Sequence, residues 1–98
     1  MAAKPKKPKK LTREVLAKAL REIDHDDVLL ADGFDAAFIG IVTRCGQPPI
    51  AIYDHARCVE VLVADGLTYE EAVEYMDFNV TGAWVGPSTP GFLVRIEQ

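Results

Sequence analysis

Cysteine, histidine and tryptophan are scarce in this 98-residue chain: two, two and one, respectively. Cys45 and Cys58 form no CxxC pair and are too few for a disulfide framework, so reduced thiols in a cytosol are expected. The two histidines, His25 and His55, lie far apart in sequence, and neither has the neighbours that a zinc or calcium site requires. No apolar run approaches the roughly 18 residues of a membrane span. Lysines open the chain but no apolar h-region follows them, which argues against a secretory signal. Without secretion, the sequon formed by Asn79, Val80 and Thr81 carries no meaning.

Positive charge is plentiful in one place only. Residues 1–10, "MAAKPKKPKK", hold five of the eleven basic residues (Lys4, Lys6, Lys7, Lys9 and Lys10) and no acid. The remainder sets six bases against fifteen acids, so a basic arm is tied to an acidic body. Two prolines and mutual lysine repulsion keep the arm from folding alone, giving a division into a flexible arm at 1–10 and a single domain at 11–98. About half the residues are hydrophobic, enough for one core. The small size makes a homo-oligomer the default expectation.

The body predicts helix, hairpin, two helices and a strand. Thr12 caps a helix over 11–23, with Leu11 stapling over Leu16 and with Val15, Leu16, Ala19, Leu20 and Ile23 on one face. The acids of "DHDD" end it, as a solvated turn rather than a ligand cluster. "AAFIGIVT" and "IAIY", separated by "RCGQPP", read as a hairpin, with Gly40 marking a bulge or a close backbone approach. Asp54 caps a helix that buries Cys58, Val59, Leu62 and Val63 and ends at Asp65 and Gly66. Thr68 and Glu71 form a T-x-x-E capping box for a third helix, which buries Ala72, Val73, Met76 and Val80 and exposes Glu70, Glu74 and Asp77. "FLVRI" supplies the last strand. The fold class is α+β: a small antiparallel sheet, hairpin plus C-terminal strand, covered by about three helices.

Candidate sites are few, and no catalytic set stands out. His55 and Cys58 share the first turn of a helix, where a thiol can be activated, but Cys58 falls on the apolar stripe and reads as a core thiol. No catalytic residue, metal ligand or cofactor is assigned. The lysine arm can neutralise phosphates, although the acidic body opposes nucleic acid and no aromatic residue interleaves the lysines. Its alternative roles are a solubilising tail or an arm docked on an acidic neighbour subunit. The acidic face of the third helix reads as a wet surface or a mimic of nucleic-acid charge. In residues 79–91, Gly82, Gly86 and Gly91 allow positive φ or close approach, and Pro87 and Pro90 stiffen the chain. Asn79, Trp84, Ser88 and Thr89 there form a candidate ligand or partner site. The competing reading, preferred for a residue that is usually well buried, has Trp84 plugging the core and Asn79 capping the third helix.

"DGFDAAFIGI", "AIYDHARCVEVL" and "TYEEAVEYMDFNVTGAWVGPSTPGF" together resemble an uncharacterised family of short proteins from tailed bacteriophages, prophages and some bacterial and archaeal genomes. The shared pattern is D-x-A-x-x-G, a Y-D before a helix, E-E-A-x-E-Y, F-N and G-A-x-V-G-x-x-T-P, and it spans about residues 32–92. Trp84 stands where the pattern has a tyrosine, so no hydroxyl role carries over to that position. The lysine arm lies outside the pattern. The resemblance implies a phage-type origin and a cytoplasmic setting, that of the host cell if viral, and no reaction. The expected function is a small non-enzymatic accessory protein that binds a macromolecular partner, a host or phage protein, as a homo-oligomer. The alternatives are a small-molecule or nucleotide binder using the Trp84 loop and a nucleic-acid accessory protein using the arm.

Overall fold

The computed structural model describes residues 12–80 and 84–96. Thr12 caps α1 (Arg13–Glu22), its hydroxyl accepting from the Val15 N–H at 3.2 Å. The expected staple residue, Leu11, lies outside the described residues. Of the five apolar residues expected on one face of α1, only Leu16 and Leu20 are buried; Val15 and Ile23 are about half exposed. The helix ends where Asp24 turns back with φ 61°, and a segment without regular structure leads to a 3₁₀ turn at Asp35–Ala37.

The hairpin forms as expected. β1 (Phe38–Arg44) pairs antiparallel with β2 (Gln47–Asp54), Ile41 opposite Ala51, around a tight turn of Cys45 and Gly46. The register slips between Phe38 and Gly40, so Gly40 marks a bulge, and no atom lies close enough to require its missing side chain. Asp54 then starts α2 (His55–Ala64), which buries Cys58, Val59 and Leu62 and leaves Val63 at the surface. The capping box holds in both directions. The Thr68 N–H donates to Glu71 Oε1 at 2.9 Å, and the Glu71 N–H donates to the Thr68 hydroxyl at 3.1 Å. It opens α3 (Tyr69–Tyr75), which widens into a π turn at Met76–Val80. Ala72 and Met76 are fully buried, while Val73 and Val80 are half-buried.

The sheet is mixed rather than antiparallel throughout. β3 (Gly91–Leu93) is the third strand and runs parallel to β2, giving the order β1-β2-β3. Two helices separate β2 from β3, and a crossover of that kind brings the chain back in the same direction, whereas a hairpin turn would reverse it. Only Gly91, Phe92 and Leu93 pair, so the strand is shorter than "FLVRI" suggested. The three pair with Ile52, Tyr53 and Asp54, leaving Pro48 and Pro49 on a stretch of β2 that β3 does not reach. There their missing N–H groups cost β2–β3 pairing nothing. At Gly91 a Cβ would sit 2.8 Å from Cδ1 of Ile52, so a larger residue there would make the end of that side chain turn aside.

Tyr53 is the hub. Fully buried, its ring meets Phe38 edge-on at 5.6 Å and stacks with Phe92 at 5.7 Å. Its hydroxyl accepts the Ala31 N–H at 2.8 Å, which pins the irregular segment before β1 onto the sheet. Val28, Phe34, Ala37, Ala51, Cys58, Leu62, Ala72 and Met76 complete a core to which the sheet, α2 and α3 all contribute.

Candidate functional site

The chain after the π turn forms a stiff crook, held differently from the expectation. Gly86 takes φ 110°, a left-handed conformation that favours glycine. The Thr89 hydroxyl accepts the Val85 N–H at 2.8 Å and donates to the Gly86 carbonyl at 2.6 Å, while the Thr89 N–H reaches the same carbonyl at 3.0 Å. Arg44 Nη2 donates to the Pro87 carbonyl at 3.4 Å and ties the crook to the end of β1. Trp84 takes no part in this bracing. The residue is 75% exposed, which overturns its expected place in the core. The core positions are taken by Tyr53 and Phe92, whose rings the β2–β3 pairing brings together, and this leaves the indole outside.

The crook and the π turn enclose a cleft of about 310 Å³. One wall is the segment from Leu29 to Asp32 with Phe34; the second is Tyr75, Asn79 and Val80; the third is Val85, Thr89, Pro90 and Phe92. Asn79 and Thr89, two of the four residues proposed from sequence, meet here; Trp84 and Ser88 do not line the cleft. Asn79 is exposed within the π turn, and among the described residues its side chain has no hydrogen-bond partner, so it does not cap α3. Its amide is open to a ligand or partner, whereas the Thr89 hydroxyl has already given its proton to Gly86. Gly82 and the five lysines of the arm lie outside the described residues.

The wall from Leu29 to Phe34 was not legible in advance. The "VLLADGF" segment has no periodicity, and its position depends on the Tyr53 hydroxyl some twenty residues later in the chain. A second depression was also missed. Between α2 and α3 runs an apolar groove of about 650 Å³, lined by Ala56, Val59, Val63, Ala64, Tyr69 and Val73 with His55 and Glu60 at its margins.

Three buried groups titrate away from their ordinary values. Burial, with a smaller contribution from the charge of Asp54, pushes the Cys58 thiol up to about 12, so the thiolate is suppressed at neutral pH. Burial also raises the Tyr53 phenol, against the lowering influence of the Ala31 N–H. Burial alone would raise the Asp54 carboxyl. Donation from Arg95 Nε at 3.1 Å and from the Arg57 and Ala56 N–H groups outweighs it and holds the group below its ordinary 3.8. Among the described residues, no three His, Cys, Asp or Glu side chains are disposed to hold a metal ion, and no helix is long and apolar enough to cross a membrane.

No protein-family model, curated protein or solved structure matches the chain.

Proposed function

We propose that the chain is a small non-enzymatic accessory protein of phage type that binds a macromolecular partner and self-associates in the cytoplasm. One observation carries this reading: large apolar side chains stand in solvent around the cleft. Phe78 is 77% exposed, Trp84 75%, Val85 67% and Tyr75 43%. They are linked in space and sequence, since Tyr75 and Val85 share the cleft, Phe78 shares a shallow depression with Tyr75 and Asn79, and Trp84 adjoins Val85. Exposed apolar side chains grouped in this way, around a backbone already braced by Thr89, are what an interface asks of a surface. The aromatic members supply contact area with little rotamer entropy to lose.

The lone tryptophan makes the reading testable. Sedimentation velocity and tryptophan emission, followed together over increasing concentration, are expected to show mass rising above that of one chain while the emission shifts to the blue. A single-chain mass with water-like emission throughout would overturn self-association. Affinity capture from a host lysate, with Phe78→Ser and Trp84→Ser as the paired control, tests the partner: a protein retained by the wild type and lost from the folded variant is expected. Equal retention would overturn the assignment of this surface.

A small ligand in the cleft is the second reading, favoured by the open Asn79 amide. The cleft's 310 Å³ stands at the lower limit of the roughly 300–1,000 Å³ of small-molecule sites. Because Trp84 does not line the cleft, thermal shift against a nucleotide panel reads this alternative better than fluorescence quenching does.

A further inference from the structure

The groove between α2 and α3 continues, through Tyr69 and Val73, into a second depression of about 450 Å³ walled by Glu70, Glu74 and Asp77. An apolar trough thus opens directly onto an acidic bank. Among the described residues no lysine or arginine lines either part, and none of Glu60, Glu70, Glu74 or Asp77 forms an ion pair. Tyr69, 63% exposed, stands at the junction beside the carboxylates.

The sequence holds a segment with the complementary chemistry. Within "KPKKPKK", Pro5 and Pro8 are three apart. In a polyproline II conformation, three residues make one turn, so both prolines fall on one edge and the lysines on the other two. Proline-rich segments of this spacing dock with their prolines against aromatic-lined grooves. The five lysines carry the charge opposite to that of the acidic bank, and the rest of the chain sets six bases against fifteen acids.

The arm's anchor point is also favourably placed. Arg13, at the start of α1, is bonded to Asp35 of the 3₁₀ turn at 3.1 Å, and that turn packs against α2, one wall of the groove. At about 3.1 Å per residue, the eight steps from Thr12 back to Lys4 span roughly 25 Å when extended. A tethered segment within reach outcompetes a free one through its high effective concentration. We infer that residues 4–10 of the chain dock in the α2–α3 groove of their own protomer, prolines on Tyr69 and Val73 and lysines against Glu70, Glu74 and Asp77. This surface is separate from the one around the crook, so either assignment can fail without the other.

A spin label tests this in the full chain. Cys45 is exposed and Cys58 buried, so Ala2→Cys in a Cys45→Ser background gives one reactive thiol. The label is expected to broaden the amide signals of Val63, Tyr69 and Val73 several-fold more than those of β1. The effect should persist when the labelled protein is diluted into unlabelled protein. It should fall away in about 1 M salt, where the Debye length is about 3 Å, and in the full-length variants Pro5→Ser/Pro8→Ser and Glu70→Lys/Glu74→Lys. Both pairs change exposed or arm positions, and circular dichroism checks that the fold is kept. Uniform or absent broadening would overturn the inference. So would broadening centred elsewhere, broadening passed only between copies, or an arm that leaves these signals untouched and shifts only when a DNA duplex is added.

Discussion

Around Tyr53 the molecule is closed; around Trp84 and Tyr69 it is open. The first region pairs its groups internally: ring on ring, and the Tyr53 hydroxyl accepting from the Ala31 N–H. The second leaves aromatic faces, an amide and several carboxylates without internal partners among the described residues. Both regions are rich in aromatic side chains, so aromatic content alone does not tell scaffold from binding surface. What separates them is whether the neighbouring polar groups are already satisfied.

Substitutions should separate the two regions by stability. Tyr53→Ala removes the hub ring and is expected to cost about 3–5 kcal/mol in denaturant unfolding, enough to unfold much of a small domain. If it costs no more than a surface change, the contrast fails. Asp54→Ala loses the α2 cap and the Arg95 contact, for about 1–2 kcal/mol. The same carboxyl sets an acid limit. Its folded-state pKa lies below its unfolded value, so its contribution is complete above about pH 4 and disappears as pH falls through the folded value. Cys58 does the opposite at the alkaline end. The unfolded thiol ionises near 9 and the folded one near 12, so stability declines as pH rises between them, and Cys58→Ala should flatten that part of a pH–melting curve. Thr89→Val is worth about 1 kcal/mol and should speed hydrogen exchange at the Val85 and Thr89 amides while leaving β1 unchanged. Trp84→Ala is expected to change stability by less than about 0.5 kcal/mol while weakening self-association; a larger stability loss would mean the indole belongs to the closed region after all.

What could be read in the sequence was what short-range chemistry decides. Thr12, Asp54 and the pair of Thr68 and Glu71 cap their helices because a side-chain oxygen two or three residues from an unpaired N–H needs no tertiary help. The hairpin, with Gly46 at φ 73° in its turn, is equally local. The direction of β3 was not local, since it depends on where a two-helix crossover ends. Nor was the fate of Trp84. Burial statistics favour tryptophan inside, yet pairing register gave the central position to Tyr53 and Phe92. Of the candidate site, Asn79 and Thr89 were recognisable as polar groups flanking a glycine-rich bend. Their opposing wall was not, because a tertiary hydrogen bond places it.

The parallel third strand also bears on the speed of assembly. Hairpin and helices join near neighbours in the chain and can form quickly, but Phe92 reaches Tyr53 only once everything between them has turned back on itself. The ring stack that completes the core is therefore a slow, high-contact-order step. Contacts formed that late are absent from the folding barrier, so substitutions that loosen the crook should speed unfolding more than they slow folding.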